Sequence, residues 1–423
     1  MLNVENESGL STDQIKTLLA ESLQNRKLRK VLLVPPDMTR RNSGAGLITA
    51  LYYELLEDVH VDVLPALGTH VPMTRDEQIS FFGDKIPEER FLEHDWRNNI
   101  SKIGEIPGRF VHEVSEGLIE SPIDVELSNH LLDKSYDLIL SIGQVVPHEV
   151  VGMANYTKNI VVGCGGSSFI NQSHMLGAVY GMERMMGKAD TPVRKVFDYA
   201  QEHFINKLPV EYVLTVTVSA GEKTDILGLY IGKDRECFER AAQLSQKHNL
   251  IFMESPIETC VVWLDEHEFH STWLGNKAIY RTRMAMADGG RLIVLAPGVV
   301  KFGEDEAIDR LVRRYGYKGR DNILGLSKTE PDLQNNLSAA AHLIHGSTDG
   351  RFSVTYATDK LSKEDVEGVG FEYMSLTAAL KKYDPKSLSP GYNKTVDGER
   401  VFYIENPALG LWMAKGRLFC EEP

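Results

Sequence analysis

The 423-residue chain carries 46 lysines and arginines against 60 aspartates and glutamates, a formal net charge of −14. That balance argues against nucleic acid as a partner, since a phosphate backbone is bound by concentrated positive charge. Hydrophobic content of 42% and charged content of 25% are those of an ordinary globular protein, and no apolar run approaches the roughly 18 residues of a membrane span.

The length suggests two domains. The first helix is expected near residues 12–25, capped by Ser11 or Thr12, with Ile15, Leu18, Leu19 and Leu23 on one face. A short apolar strand, Lys30 to Val34, runs into Pro35-Pro36. Helical periodicity follows over Gly46 to Leu56, then a strand from Val61 to Leu67 ended by Gly68. Thr74 to Phe82 opens with a Thr-x-x-Glu capping box. Residues 84–130 show no clear period. A buried strand is expected over residues 136–142. Tyr212 to Val218 and Asp225 to Ile231 read as a strand pair, followed by a helix over Arg235 to Lys247.

From Thr259 the pattern becomes strand, helix, strand, helix. Thr259 to Leu264 is the first strand. A helix is expected over Trp273 to Ala287, stopped by Gly289-Gly290 as a C-cap. Leu292 to Ala296 is the next strand and Glu306 to Tyr315 the next helix. These alternations predict two α/β domains, 1–255 and 256–423, each with a mainly parallel sheet, and an active site in the cleft between them. The polar N-terminus has no signal-peptide core, and Cys164, Cys237, Cys260 and Cys420 are scattered. A reducing cytoplasm is therefore expected.

Polar clusters follow four of the expected strands. They are Asp37-Met38-Thr39-Arg40-Arg41, Gly68-Thr69-His70, Gln144 to His148, and Pro297-Gly298-Val299-Val300-Lys301. Parallel sheets place ligands outside the carboxyl ends of their strands. Each cluster also has a plain reading. Asp37 and Arg40 can cap a helix and pair with each other, and His70 or His148 can be a structural histidine. Arg40 as a functional residue would grip an anion with its guanidinium fork, and Thr39 would add a hydroxyl. Lys158 stands ten residues after His148, and His174 sixteen after Lys158. A histidine moves protons near neutral pH or binds a metal. The pairs His267/His270 and His342/His345 lack a third metal ligand in sequence and read as structural. Cys164-Gly165-Gly166-Ser167-Ser168 has the composition of a backbone anion cradle.

Taken in order, Asp37-Met38-Thr39-Arg40, Gly68-Thr69-His70, Pro147-His148 with Gly152, Lys158 and His174 resemble the nickel-pincer lactate racemase family, over roughly residues 28 to 310. The resemblance implies inversion at C2 of a 2-hydroxy acid by hydride transfer. It also implies a nickel-pincer nucleotide, a pyridinium-3,5-bisthiocarboxylic acid mononucleotide, covalently attached at Lys158. His174 would be the protein ligand to nickel, and a neutral imidazole beside soft sulfur suits that metal. His70 and His148 would be the paired acid and base. Asp37, Thr39 and Arg40 would contact the cofactor, and Arg40 and Lys301 the substrate. The partners implied are a small 2-hydroxy acid and the cofactor maturation enzymes, with no nucleic acid and no membrane; homo-oligomerisation stays open.

The chain departs from the family at two places. Gly-Phe-Ser-Gly-Gly before the anchoring lysine is replaced by a run in which Asn155 and Tyr156 take the positions of the paired glycines. Their side chains point to a changed substrate pocket or cofactor environment. Gly298 stands where the family has glutamine, three residues before Lys301. An alternative is a relative that binds a hydroxy or sugar acid without turning it over. A nicotinamide dehydrogenase is disfavoured, because no Gly-x-Gly-x-x-Gly follows the first strand.

Overall fold

A computed structural model describes residues 1–220, 223–415 and 417. The chain folds as two compact units. The first is Met1–Ser173 with Gly187–Asn249; the second is His174–Met186 with Leu250–Pro423. Cys420 lies outside the described residues; Cys164, Cys237 and Cys260 are buried free thiols. No helix among the described residues is long and apolar enough to cross a membrane.

The first unit is built on a six-stranded sheet. Its spatial order is Leu2–Glu5, Lys223–Gly232, Val210–Ala220, Leu138–Gln144, Lys30–Val34, His60–Val63. Lys30–Val34 pairs in parallel with a neighbour on each side, Leu33 lying opposite Val63 on one and Leu140 on the other. Val31 to Val34 are fully buried, as expected where a parallel strand is covered on both faces. Leu138–Gln144 also runs parallel to Val210–Ala220. The hairpin between Val210–Ala220 and Lys223–Gly232 is antiparallel, as is its outer pairing with Leu2–Glu5.

Local signals account for much of this. Ser11 and Gln14 form a reciprocal capping box at the start of Thr12–Leu23, and Thr74 and Glu77 do the same for Arg75–Phe82. The strand expected over residues 61–67 is shorter, His60–Val63. Pro65 has no N–H to give a ladder, and only a single bridge, Pro36 to Ala66, continues the pairing. Residues 84–130 hold an antiparallel pair, Ile100–Ile106 with Ile123–Ser128, which the sequence pattern does not reveal.

The second unit carries a six-stranded sheet in the order Glu372–Met374, Phe352–Ala357, Met286–Leu295, Ile257–Trp263, Arg400–Ile404, Gly391–Lys394. All its pairings are parallel except the last. The helix expected over residues 273–287 is instead two short ones, Thr272–Gly275 and Lys277–Thr282. Gly289-Gly290 is no C-cap but part of the strand Met286–Leu295. Cross-strand pairing overrides the local signal: Gly289 donates to the Arg351 carbonyl at 2.6 Å, and Gly290 lies opposite Phe352.

Helix packing in the first unit gives a direct test. A Cβ at Gly46 would lie 2.0 Å from the Phe81 carbonyl oxygen. Both helices would have to separate, and overpacking of this kind costs about 1–3 kcal/mol. Gly46→Ala is expected to lower the urea midpoint accordingly, and an unchanged midpoint would contradict the contact.

Candidate active site

Asp37, His70 and His148 all follow strands of the first unit's sheet at the carboxyl edge. Asp37 follows the central strand and is buried at 5% exposure. Its Oδ1 accepts from Thr39 N–H at 3.1 Å and from the Thr39 hydroxyl at 2.5 Å, capping the 3-10 helix Met38–Ser43. Its Oδ2 lies 2.5 Å from His70 Nδ1. The capping role is thus real, but the ionic partner is His70. Burial pushes the Asp37 carboxyl up; the hydrogen bond and charge of His70, the Thr39 hydroxyl and the Arg40 charge outweigh it, and the net shift is downwards. An ionised carboxylate only accepts, so it takes the Nδ1–H of His70. In neutral His70 this leaves Nε2 as a bare lone pair, on a side chain 48% exposed and open to proton exchange.

His148 has the opposite polarity. The Val150 N–H donates to its Nδ1 at 3.1 Å, so in the neutral ring the proton sits on Nε2. The Glu149 carboxylate is 3.9 Å from the same Nδ1, beyond hydrogen-bond reach. The His148 side chain is 10% exposed, within a two-residue hairpin that sets Pro147 opposite Met153 and His148 opposite Gly152.

Lys158 lies one residue into the helix Thr157–Val161. The side chain keeps some solvent contact, yet burial pulls its amine down to about 8; Arg40 and Arg194 add to this, while Glu149 opposes. Asn159 fastens this helix to the sheet, donating from Nδ2 to the Val34 carbonyl and the Ser141 hydroxyl, both at 3.0 Å. The Gly68 N–H donates to the Gly163 carbonyl at 2.8 Å, tying the His70 loop to the end of the Lys158 helix. Arg40 is exposed, with Nη1 3.3 Å from the Thr39 hydroxyl, and its charge acts on both Asp37 and Lys158.

Asn155 and Tyr156 do not reach out towards a ligand. Asn155 is buried, and its Nδ2 would meet a Cβ at Gly143 at 2.1 Å. Tyr156 packs among Tyr212 and Phe238 and donates its hydroxyl to the Lys233 carbonyl at 3.0 Å. Both keep positive φ, +66° and +57°, the backbone region that favours glycine. The Gly165-Gly166 cradle is already filled by the protein: Gly166 N–H donates to the Glu126 carbonyl and Ser168 N–H to the Glu126 carboxylate.

In the second unit, His174 is half-buried within the helix Ser167–Tyr180. Lys301 donates from Nζ to the Glu304 carbonyl at 2.5 Å, and its own carbonyl accepts from Thr272 N–H at 3.1 Å. His342 is buried between the hydroxyls of Tyr280 and Tyr317, and His267 and His270 are outside any helix. Among the described residues no three His, Cys, Asp or Glu side chains are grouped to hold a metal.

A parallel-sheet α/β protein with a histidine–carboxylate pair and a crowded lysine at one sheet edge is the class so defined. Residues 10–186 match the family profile described as lactate racemase N-terminal domain. It is similar to a Thermotoga maritima protein solved by a structural genomics consortium, at 25% identity and TM-score 0.84 over 97% of this chain and 100% of that one. It shares the fold of the lactate racemase apoprotein from Thermoanaerobacterium thermosaccharolyticum, at 17% identity and TM-score 0.69 over 94% of this chain and 92% of that one. No curated protein sequence matches it.

Sequence reading missed Asn159 and Arg194. Asn159 adjoins Lys158, but its partners Val34 and Ser141 are remote in sequence. Arg194 shows only as part of a helix start, Thr191-Pro192-Val193-Arg194.

The downward shift of Asp37 carries a sign. The unfolded chain takes up the proton first as pH falls, so the Asp37–His70 contact stabilises the fold above about pH 4 and is lost as pH falls through the folded value. Asp37→Asn is expected to cost about 1–3 kcal/mol at pH 7, with the gap to the wild type narrowing as pH falls below about 4. Urea unfolding of both proteins at pH 7, 5 and 3 measures it; a constant gap contradicts the pairing.

Proposed function

We propose that this chain is a 2-hydroxy-acid racemase or epimerase that uses a nickel-pincer nucleotide tethered at Lys158. The observation that carries the reading is the opposed hydrogen-bond polarity of His70 and His148 at the sheet edge to which the Lys158 helix is fastened, in a chain whose residues 10–186 match the lactate racemase N-terminal domain. Inversion of an alcohol carbon requires a base for one enantiomer and an acid for the other. His70 Nε2 is set to accept the hydroxyl proton, with the ionised Asp37 balancing the imidazolium that results. His148 Nε2–H is set to return a proton. In the reverse direction the roles exchange. Arg40 binds the substrate carboxylate by a charge-assisted contact.

The chain's residues fit the implied cofactor. An amine brought down to about 8 by burial and neighbouring cations is partly neutral near physiological pH, the form needed to make a covalent amide-type link. With the group bound, His174 would be the protein's ligand to its nickel, a neutral imidazole being suited to that metal. When bound, the tethered group supplies a reversible acceptor for the C2 hydride. Asp37 and Thr39 are the polar groups assigned to the cofactor alongside Lys158.

Intact-protein and peptide mass spectrometry after co-expression with the maturation enzymes is expected to show a mass addition on Lys158 together with nickel. An unmodified Lys158 in protein from such cells sinks the tether. With an active preparation, C2-deuterated substrate in ordinary water is expected to racemise with its label retained, whereas washout of deuterium would favour deprotonation at carbon. His70→Ala and His148→Ala should each lower kcat by about 10²–10⁴-fold; full activity in either would remove it from the acid/base pair.

A further inference from the structure

Arg194 is fully buried in the first turn of the helix Pro192–His203. Its Nη2 donates to the carbonyls of Met153 at 2.7 Å and Asn155 at 3.1 Å. Its Nε and Nη1 have no hydrogen-bond partner among the described residues. The guanidinium lies 4.3 Å from the Phe238 ring centroid and 5.5 Å from that of Phe197. A buried cation with three of its five N–H donors idle is costly, and replacing it by an apolar side chain would be the easier way to fill the space.

What it grips is the segment that carries the candidate chemistry. The same helix start places Thr191 Oγ1 on the Val151 carbonyl at 3.0 Å, and the Gly187 N–H donates to the Gly152 carbonyl at 3.1 Å. Four backbone carbonyls, at residues 151, 152, 153 and 155, are thus held from residues 187–194. His148 opens this segment and Lys158 closes it. Between them stand Asn155 and Tyr156, two side-chain-bearing residues in a glycine-favouring backbone. Such residues stay there only when surrounding contacts over-determine them.

We propose that Arg194 is a positioning residue for Lys158, holding the Asn155–Tyr156 backbone in the conformation from which the lysine amine is presented. This rests on the tether role proposed for Lys158. Its charge adds to the effect. Arg194, Arg40 and Glu149 are the charged groups acting on the Lys158 amine, the two arginines disfavouring and the glutamate favouring its protonation. Arg194 itself is faced by Arg235, Tyr156 and Tyr212, and burial brings it down to about 9.

The test needs no cofactor. Purified wild type, Arg194→Met and Arg194→Lys are labelled briefly with acetic anhydride across pH 6–11, and the rate at Lys158 is read by peptide mass spectrometry against the exposed lysines of the same sample. In Arg194→Met the relative rate at pH 7.5 is expected to fall at least about threefold, with the pH midpoint moving up towards that of an ordinary lysine. Arg194→Lys keeps the charge but reaches fewer carbonyls, and should restore the midpoint without the full rate. A folded Arg194→Met whose Lys158 profile matches the wild type overturns the proposal. Should that variant fail to fold, Arg194→Lys decides alone: an unchanged rate at Lys158 overturns it and a reduced rate supports it. An unmodified Lys158 in cells holding the maturation enzymes, with the Arg194 effect still present, would overturn the tether and leave the positioning role standing.

Discussion

Parallel pairing on both edges of Lys30–Val34 is the constraint on which the chemistry of the first unit depends. Because His60–Val63 and Leu138–Gln144 both run in its direction, the segments that follow all three strands emerge at one edge. Reversing either neighbour would send its cluster to the opposite end of the sheet. Asp37, leaving the central strand, meets His70 from the strand beside it, and the helix that carries Lys158 is fastened to the central strand and to Leu138–Gln144 through Asn159. A short buried strand with no side-chain chemistry of its own thus decides which polar residues become neighbours.

Within that frame, two hydrogen bonds to the same kind of atom give two histidines opposite character. The acceptor on His70 Nδ1 is a carboxylate; the donor to His148 Nδ1 is a backbone N–H. One neutral ring is left with a lone pair on Nε2 and the other with a proton there. Arg40 reinforces this division electrostatically. A cation favours the ionised form of Asp37 and disfavours the ionised form of Lys158, so one charge helps to produce both a carboxylate that orients an imidazole and an amine capable of acting as a nucleophile.

Elements whose determinants are local were legible in the sequence. The capping boxes at Ser11 and Thr74, the Lys30–Val34 strand and the Val210–Ala220 hairpin are written in adjacent residues. The meeting of Asp37 with His70 follows from a signal that was legible too, because neighbouring parallel strands share one carboxyl edge. What failed depended on distant partners. Gly289-Gly290 has the composition of a helix stop, yet pairing with Phe352 makes it strand. Gly165-Gly166 has the composition of an anion cradle, yet Glu126, from a hairpin with no clear sequence period, fills it. Neither the Asn159 nor the Arg194 contacts could be read, because each joins segments without a local pattern.

The replacement of paired glycines by Asn155 and Tyr156 changes meaning once its geometry is known. Side chains there would be expected to crowd a ligand, but both turn inwards while the backbone keeps positive φ. Each such residue carries a penalty of roughly 1–2 kcal/mol relative to glycine. The offsetting contacts are specific: the Asn155 carboxamide accepts from Tyr156 N–H at 2.7 Å, the Tyr156 ring stacks on Phe238, and the Asn155 carbonyl is held by Arg194. Glycine leaves a loop free to sample several approaches. Two anchored side chains remove that freedom and fix one path from His148 to Lys158. The divergence therefore acts on the rigidity of the approach rather than on the lining of a pocket.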